Sequence, residues 1–289
     1  MKVGICFAGG GIKGICHVGA LKALEEENIK FDYIAGTSSG SIVATLYAIG
    51  YSADEIYEIF KKYNKKINYI EWKNILKLIY GTLIKRKLII TGLNSGKKIE
   101  KLINQECKKK NIDNINQITK KLLIPSVNLC NGKIMIFTSI KNRSSYSDKI
   151  VYEDNINIGK AVRASCSYPG VFEPMPFKQE YLIDGGIREN VPWKELKENG
   201  VDKVISIVFQ NEIEKKEKIN IFDSITGSIE LLCHELSNYE LDGADYLIKI
   251  KTKDISLLDK SKMKYLYELG YIETKGKINE IKKLTQTGR

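Results

Sequence analysis

The first part of the chain repeats one pattern, in which a short apolar segment runs into a glycine-containing turn and a stretch with helical spacing of apolar residues follows. The apolar segments are Lys2–Ala8 and Tyr33–Thr37, and the helical stretches are Lys13–Asn28 and Ser39–Ile49. Two strands joined by a helix in this order lie parallel in one sheet. The sequence therefore predicts an α/β fold with a parallel sheet that is covered by helices.

The remainder of the chain continues in the same style. Further strands are expected at Leu122–Leu129, Ile134–Ser139, Ile150–Tyr152, Tyr181–Ile183, Lys203–Phe209 and Asp245–Ile250. Helices are expected at Asp54–Tyr63, Trp72–Tyr80, Ser95–Lys110, Ile158–Ser167 and Ile221–Leu241, with a charged loop at Gln210–Asn220 and a closing helical segment at Asp259–Leu284. Residues 54–121 have little strand character, so we expect one domain over residues 1–289 with a Lys-rich helical insertion at about 54–121.

The cysteines and histidines restrict the cellular compartment and the chemistry. The six cysteines are scattered and include no C-x-x-C pair, which predicts reduced thiols in a cytoplasmic protein rather than disulfides or a zinc site. Only His17 and His234 are present, so a histidine-rich metal centre is excluded. The uncharged stretch Tyr33–Ala53 contains a cluster of Gly, Ser and Thr, so we predict no transmembrane segment.

The net charge of +11 is unevenly distributed. Residues 61–121 contain 17 basic and 4 acidic side chains, whereas the rest of the chain contains 29 basic and 31 acidic ones. One interpretation is a solvated Lys-rich surface. The other is a patch that attracts an anionic phospholipid membrane. Nucleic-acid binding is not expected, because the aromatic residues of this stretch do not form an obvious stacking platform.

The second glycine-containing turn, Gly36-Thr37-Ser38-Ser39-Gly40, matches the pattern G-x-S-x-G. When a strand precedes this pattern and a helix follows it, a sharp turn exposes the serine hydroxyl at the carboxyl end of the strand. The helix N-terminus also favours negative charge on the serine oxygen. Ser38 is therefore a candidate nucleophile, although a Gly/Ser turn that merely joins strand to helix would have the same sequence.

The first glycine-rich turn, Gly9-Gly10-Gly11-Ile12-Lys13-Gly14, allows three interpretations. A dinucleotide-binding loop would need an acidic residue at the end of the second strand, where this chain has Gly36-Thr37-Ser38. A P-loop would need Lys-Ser/Thr after Gly14, where Ile15-Cys16 stands. An oxyanion hole fits, because glycine N–H groups can converge on an oxygen beside the serine of the next strand. Lys13 could position this loop or bind a phosphate head group, and a solvent-facing lysine is favoured over the head-group role.

The segment Tyr181-Leu182-Ile183-Asp184-Gly185-Gly186 supplies a candidate base. Its apolar strand ends in a carboxylate at the sheet edge where Ser38 is expected. A serine nucleophile needs a base, and both histidines fall inside predicted helices where core or surface roles fit better. Desolvation makes a buried carboxylate more basic, so direct Ser–Asp chemistry is reasonable. An Asx-turn or a helix cap is the alternative role for Asp184.

Four segments together resemble patatin-like phospholipases. They are the glycine loop at 9–14, Gly-Thr-Ser-Ser-Gly at 36–40, Ala-Val-Arg-Ala-Ser-Cys-Ser-Tyr-Pro-Gly-Val-Phe at 161–172 and Asp-Gly-Gly at 184–186. The resemblance runs from Lys2 to about Phe209 and departs at none of these positions. Residues 54–121 and the C-terminal third carry no such motif, so the resemblance does not extend to substrate choice.

The resemblance implies a three-layer α/β/α fold, no metal or organic cofactor, and hydrolysis of acyl esters of phospholipids, lysophospholipids or related lipids. It implies a dyad of Ser38 as nucleophile and Asp184 as base, with an oxyanion hole around Gly9, Gly10, Gly11 and Lys13. The expected location is the cytoplasm, with peripheral contact to an anionic membrane. The alternatives are a lipid acyltransferase, a thioesterase, or a regulatory lipid-binding protein with an idle site.

Overall fold

The computed structural model describes residues 1–64, 71–83, 91–141, 143, 147–210, 221–252, 255 and 259–286. The charged loop expected at Gln210–Asn220 lies, apart from its first residue, outside the described residues, as do parts of the Lys-rich insertion.

The strands are β1 Val3–Phe7, β2 Tyr33–Gly36, β3 Lys121–Asn128, β4 Ile134–Thr138, β5 Ile150–Glu153, β6 Met175–Phe177, β7 Glu180–Asp184, β8 Lys203–Gln210 and β9 Tyr246–Lys251. The α-helices are α1 Ile15–Glu26, α2 Ser39–Ala48, α3 Ala53–Asn64, α4 Trp72–Leu83, α5 Lys97–Lys109, α6 Ile158–Ser165, α7 Trp193–Glu198, α8 Ile221–Glu240, α9 Met263–Lys275 and α10 Ile278–Gln286.

The strands form one mostly parallel sheet in the order β5-β4-β3-β2-β1-β8-β9, with β7 beside β3 and β6 beside β7. The central strand β1 pairs in parallel with β2 and with β8, so that Phe7 lies opposite both Gly36 and Ile207. The turns that follow β1 and β2 therefore leave the sheet at the same edge. The expected fold class, an α/β/α fold with a mainly parallel sheet, is confirmed.

Helices cover both faces of the sheet. Because successive strand residues point to opposite faces, Ile5 and Phe7 of β1 contribute to the larger core while Cys6 and Ala8 contribute to the smaller one. The larger core includes residues of α1, α2, α5, α6 and α9. On this face α1 and α9 approach closely, since a side chain at Gly19 would collide with the backbone of α9.

Most expected elements are present, and the differences involve short or interrupted ones. The sequence interpretation missed β6 and α7, which have three and six residues and are too short for a clear periodic pattern. The closing helical segment is two helices, which are separated at Gly276 and Lys277. Among the described helices, none combines the length and the apolar composition that crossing a bilayer requires.

Candidate active site

Ser38 occupies the turn between β2 and α2. Its backbone has φ 50° and ψ −123°, a strained conformation that a non-glycine residue adopts only when its surroundings impose it. The two flanking glycines are required by packing, because a side chain at Gly36 would meet the carbonyl of Gly40 and one at Gly40 would meet the carbonyl of Phe7. The turn therefore has the geometry of a nucleophile elbow.

Three side-chain hydrogen bonds hold this turn, and two of them join it to distant parts of the chain. The backbone N–H of Ser38 donates to Oγ of Ser165, at the end of α6, over 2.9 Å. The carbonyl of Ser38 accepts a hydrogen bond from Oγ of Ser41 at 2.6 Å. Oγ1 of Thr37 donates to the carbonyl of Glu189 at 2.9 Å. Three hydrogen bonds thus hold the strained turn, which is the usual condition for a strained residue to persist.

Asp184 ends β7, where it lies opposite Ser126 of β3, and its side chain is only 2% exposed. One carboxylate oxygen, Oδ1, accepts the N–H of Gly186 at 2.8 Å. Burial raises the pKa of Asp184 to about 7, against the opposing effects of the Ser38 hydroxyl and of the Gly186 N–H. The fold therefore brings Ser38 and Asp184 together at one edge of the sheet.

The contact between the two side chains is close but not ideally aligned. The Ser38 hydroxyl approaches the carboxylate closely enough to lower the pKa of Asp184. Oδ2 of Asp184 is nevertheless buried without a well-aligned hydrogen bond from any described residue. Hydrogen bonds of catalytic groups are often loose before substrate binds, so the proximity of the two side chains is compatible with proton transfer. An unpaired buried carboxylate oxygen beside a hydroxyl is a natural proton acceptor.

The glycine loop lies directly beside the serine. A side chain at Gly9 would come within 3.2 Å of Cβ of Ser38. The N–H of Gly9 already donates to Oδ1 of Asn190 at 3.0 Å, and the N–H of Lys13 donates to the carbonyl of Gly10 at 3.1 Å. The amides of Gly10 and Gly11 have no acceptor among the described residues. Gly11 has φ 57°, a conformation that favours glycine.

Lys13 differs from its expected surface position. Its side chain is 4% exposed, so the interpretation of a solvent-facing lysine is wrong. Burial raises the pKa of the Cys16 thiol, and the nearby charge of Lys13 opposes that rise. Lys13 lies in the short 3-10 helix Gly11–Gly14, in which Ile12 and Gly14 are buried as well.

Three residues at the site have no assigned role in the sequence interpretation. Asn190 accepts the Gly9 N–H and donates through Nδ2 to Oγ of Ser237 at 3.0 Å, so it connects the glycine loop to α8. Ser165 and Cys166 belong to the segment that resembles the family, but no chemical pattern marks them. Burial raises the pKa of Cys166, as does the charge of Asp184, which puts its thiol close to the carboxylate.

Neither histidine is hydrogen-bonded to Ser38 in the described structure. His17 is buried between the rings of Phe7 and Phe209, and its Nε2 donates to the carbonyl of Ala8 at 2.8 Å. Burial lowers its pKa to about 4. His234 lies on α8 next to Asn238. No described trio of His, Cys, Asp or Glu side chains converges in the way that a metal ion requires.

Comparison with known proteins identifies the family of this chain. The model of the family described as patatin-like phospholipase matches residues 5–197, which include both Ser38 and Asp184. The chain belongs to the patatin-like phospholipase family. The expected family is confirmed, and within this patatin-like chain the matched region ends before α8 begins.

Relatives of this patatin-like chain differ greatly in length. Lysophospholipase NTE1 of Candida albicans is 30% identical over 230 residues, which cover 80% of this chain and 14% of that protein. A protein of Acanthamoeba polyphaga mimivirus is 32% identical over 298 residues, with 95% of this chain and 93% of that protein covered. The chain therefore spans only about one-seventh of the lysophospholipase.

A solved structure has the same fold at much lower sequence identity. The crystal structure of VipD from Legionella pneumophila is similar to this chain with a TM-score of 0.54 and 15% identity. The similarity covers 96% of this chain and 67% of the VipD chain. At this level of identity the comparison supports the patatin-like fold and nothing further.

Proposed function

We propose that this protein is a serine acyl hydrolase that cleaves acyl esters of phospholipids, lysophospholipids or related lipids. The observation that carries the proposal is the buried Asp184 carboxylate, which has an unpaired oxygen and a pKa of about 7 beside the strained Ser38. A pKa close to neutral is what a general base needs. The names of the curated lysophospholipase relatives agree with a lipid ester as substrate.

In the proposed mechanism Asp184 accepts the Ser38 proton while the hydroxyl oxygen attacks the ester carbonyl carbon. The N–H groups of Gly10 and Gly11 stabilise the oxyanion, since the amides of Gly9 and Lys13 already have acceptors and support the loop instead. The carbon–oxygen bond to the leaving alcohol breaks, and the alcohol takes the proton from Asp184. An acyl-Ser38 ester remains.

The second half of the proposed reaction repeats these steps with water. Asp184 accepts a proton from water, and the resulting hydroxide attacks the acyl-Ser38 carbonyl. The Ser38 oxygen leaves with the proton from Asp184, and a fatty acid is released. The atoms of one ester and one water are thereby distributed over one alcohol and one acid.

We further propose that the Lys-rich insertion contacts an anionic membrane. Within α4 the side chains of Trp72, Leu76 and Tyr80 are exposed at intervals of four residues and form one apolar row along the helix. Lys73 and Lys77 are exposed beside it. An apolar row with adjacent lysines is typical of helices that lie on anionic lipid. Binding to anionic but not to neutral vesicles, weakened by added salt, is the expected result, and equal binding to both would contradict it.

Labelling with a fluorophosphonate probe tests the nucleophile directly. The wild-type protein is expected to gain one covalent adduct on Ser38, and the Ser38→Ala variant none, with both proteins retaining the same circular dichroism spectrum. Asp184→Asn should label far more slowly. A folded wild-type protein that hydrolyses lipid esters without any adduct at Ser38 would refute the mechanism. Analysis of the products with an added alcohol separates hydrolysis from acyl transfer.

A further inference from the structure

The polar side of helix α8 faces the candidate active site. Three of its residues follow helical spacing and face the site: Cys233, Ser237 and Glu240. Burial raises the pKa of the Cys233 thiol to about 12, and the next contribution is the charge of Asp184, so this thiol is near the carboxylate.

Hydrogen bonds tie this polar side to the loops that carry the site. The hydroxyl of Tyr168, two residues after Cys166, donates to the carbonyl of Thr226 at 3.4 Å. The backbone N–H groups of Asn190 and Val191 donate to the Glu240 carboxylate at 3.1 and 3.2 Å. The position of α8 is therefore set by polar contacts, which is unusual for a helix of a globular protein.

The apolar side of α8 is turned to solvent. Leu232 is 71% exposed and Tyr239 is 76% exposed, and both are in line with Ile225 at intervals of seven residues. Ile229 and Leu236 lie between them on the same stripe and are half-buried. None of the described side chains of α8 is fully buried. In a helix that packs on a core the apolar side chains are buried and the polar ones are exposed. In α8 the apolar stripe is exposed, so it is available for contact with a partner.

We propose that this stripe docks on the surface of a phospholipid bilayer and so brings the half-buried Ser38 close to the lipid. The inference rests on the proposed function, because a lipid substrate is what makes a lipid surface the partner. The positive charge of α4 supports a membrane as the partner. The segment 168–173 contacts α8 through Tyr168 and contacts the lysine-bearing α4 through a hydrogen bond from Asn74 to the Glu173 carboxylate. Two exposed apolar rows therefore adjoin one segment that borders the site.

The two helices contribute different forces to docking. Residues 221–240 contain four acidic side chains and no lysine or arginine, so α8 gains nothing from anionic head groups. Its contribution comes from apolar burial, whereas Lys73 and Lys77 of α4 supply positive charge. Salt screens the charge but not the apolar term. Removing apolar side chains from α8 should therefore weaken binding equally at low and at high salt.

The test is the partitioning of the 289-residue chain onto vesicles of phosphatidylcholine and phosphatidylglycerol, measured by sedimentation. The double variant Leu232→Ser, Tyr239→Ser is expected to lose at least about tenfold in partition coefficient, since burying a leucine side chain alone is worth about that factor. Ile272→Ser is the matched control, because Ile272 is 65% exposed on α9. This control should bind like the wild type.

Hydrolysis provides the second readout. For the double variant, the ratio of activity on vesicular phospholipid to activity on a soluble short-chain ester should fall about as much as binding does. The soluble ester reports whether the site itself is intact. Unchanged vesicle binding of the double variant would overturn the proposal. The proposal would also be overturned if the wild type is a dimer, the double variant is a monomer and both bind vesicles equally. A second copy of the chain would then be the partner of the stripe.

Failure of the proposed function leads to a different result. The Ser38→Ala variant should bind vesicles like the wild type, because docking does not require the nucleophile. If the wild type hydrolyses no ester but the double variant still loses vesicle binding, the hydrolase assignment fails while the docking surface stands.

Discussion

Replacing Asp184 by asparagine is expected to abolish hydrolysis and, at pH 8, to stabilise the fold. Asparagine has nearly the same shape, and its Oδ1 can still accept the Gly186 N–H. It carries no charge, so it removes the cost of burying an ionised carboxylate. A residue that is retained for catalysis at the expense of stability gives this combination of effects.

The magnitude follows from the pKa of Asp184, which burial raises from 3.8 to about 7. This rise corresponds to about 4 kcal/mol, because each pKa unit is worth about 1.4 kcal/mol. An acid whose pKa is higher in the folded state binds its proton more tightly there, so the free energy of unfolding falls as pH rises from 3.8 to about 7. About 3 kcal/mol of that loss develops between about pH 5 and pH 8.

Two measurements check this reasoning. The first is thermal unfolding at pH 5 and at pH 8. The Tm of Asp184→Asn minus the Tm of the wild type should be larger at pH 8 than at pH 5 by roughly 5 to 10 °C. The Ser38→Ala variant is the control, since it is inactive but keeps the buried carboxylate. Because it lacks the hydroxyl that lowers the pKa of Asp184, its pH dependence should be at least as large as that of the wild type. For the wild type, kcat/KM on a soluble ester should rise about a hundredfold from pH 5 to a plateau above pH 7, because only the ionised carboxylate accepts the proton.

Either of two results would refute this reasoning. If kcat/KM is flat from pH 5 to pH 8, the base has an ordinary aspartate pKa or is another group. If Asp184→Asn is less stable than the wild type at pH 8 as well as at pH 5, the buried carboxylate stabilises the fold instead of destabilising it.

Two further predictions concern the neighbours of the dyad. Asn190→Ala removes the acceptor of the Gly9 N–H, so kcat should fall at least about tenfold with little change in KM. Asn190→Asp keeps an acceptor and should recover part of the loss. An unchanged kcat in the alanine variant would exclude a positioning role. His17→Gln and His234→Gln should each retain most of the turnover of the folded protein, whereas a loss as large as that of Ser38→Ala would restore a histidine to the mechanism.

Local patterns were sufficient for much of the fold and for the central residues of the candidate site. The turn at Ser38 could be predicted because its strain requires glycines at fixed positions, a strand before it and a helix after it. Asp184 could be predicted from the end of an apolar strand and the scarcity of histidine. The short elements β6 and α7 could not, since three or six residues do not establish a period.

The supporting residues depend on contacts between distant parts of the chain. Ser165 accepts a hydrogen bond from Ser38, which is 127 positions away in the sequence, and Asn190 accepts one from Gly9, which is 181 positions away. No spacing in the sequence encodes such a contact, because it exists only when the sheet aligns the strands. The burial of Lys13 has the same origin.

By itself, the sequence determined which backbone segments are strands, turns and helices, because periodicity and glycine geometry act over a few residues. Only the tertiary structure decided how basic Asp184 is and which side of α8 faces water. The desolvation of a carboxylate and the exposure of one side of a helix both depend on the residues packed against them. Those residues come from segments far apart in the chain.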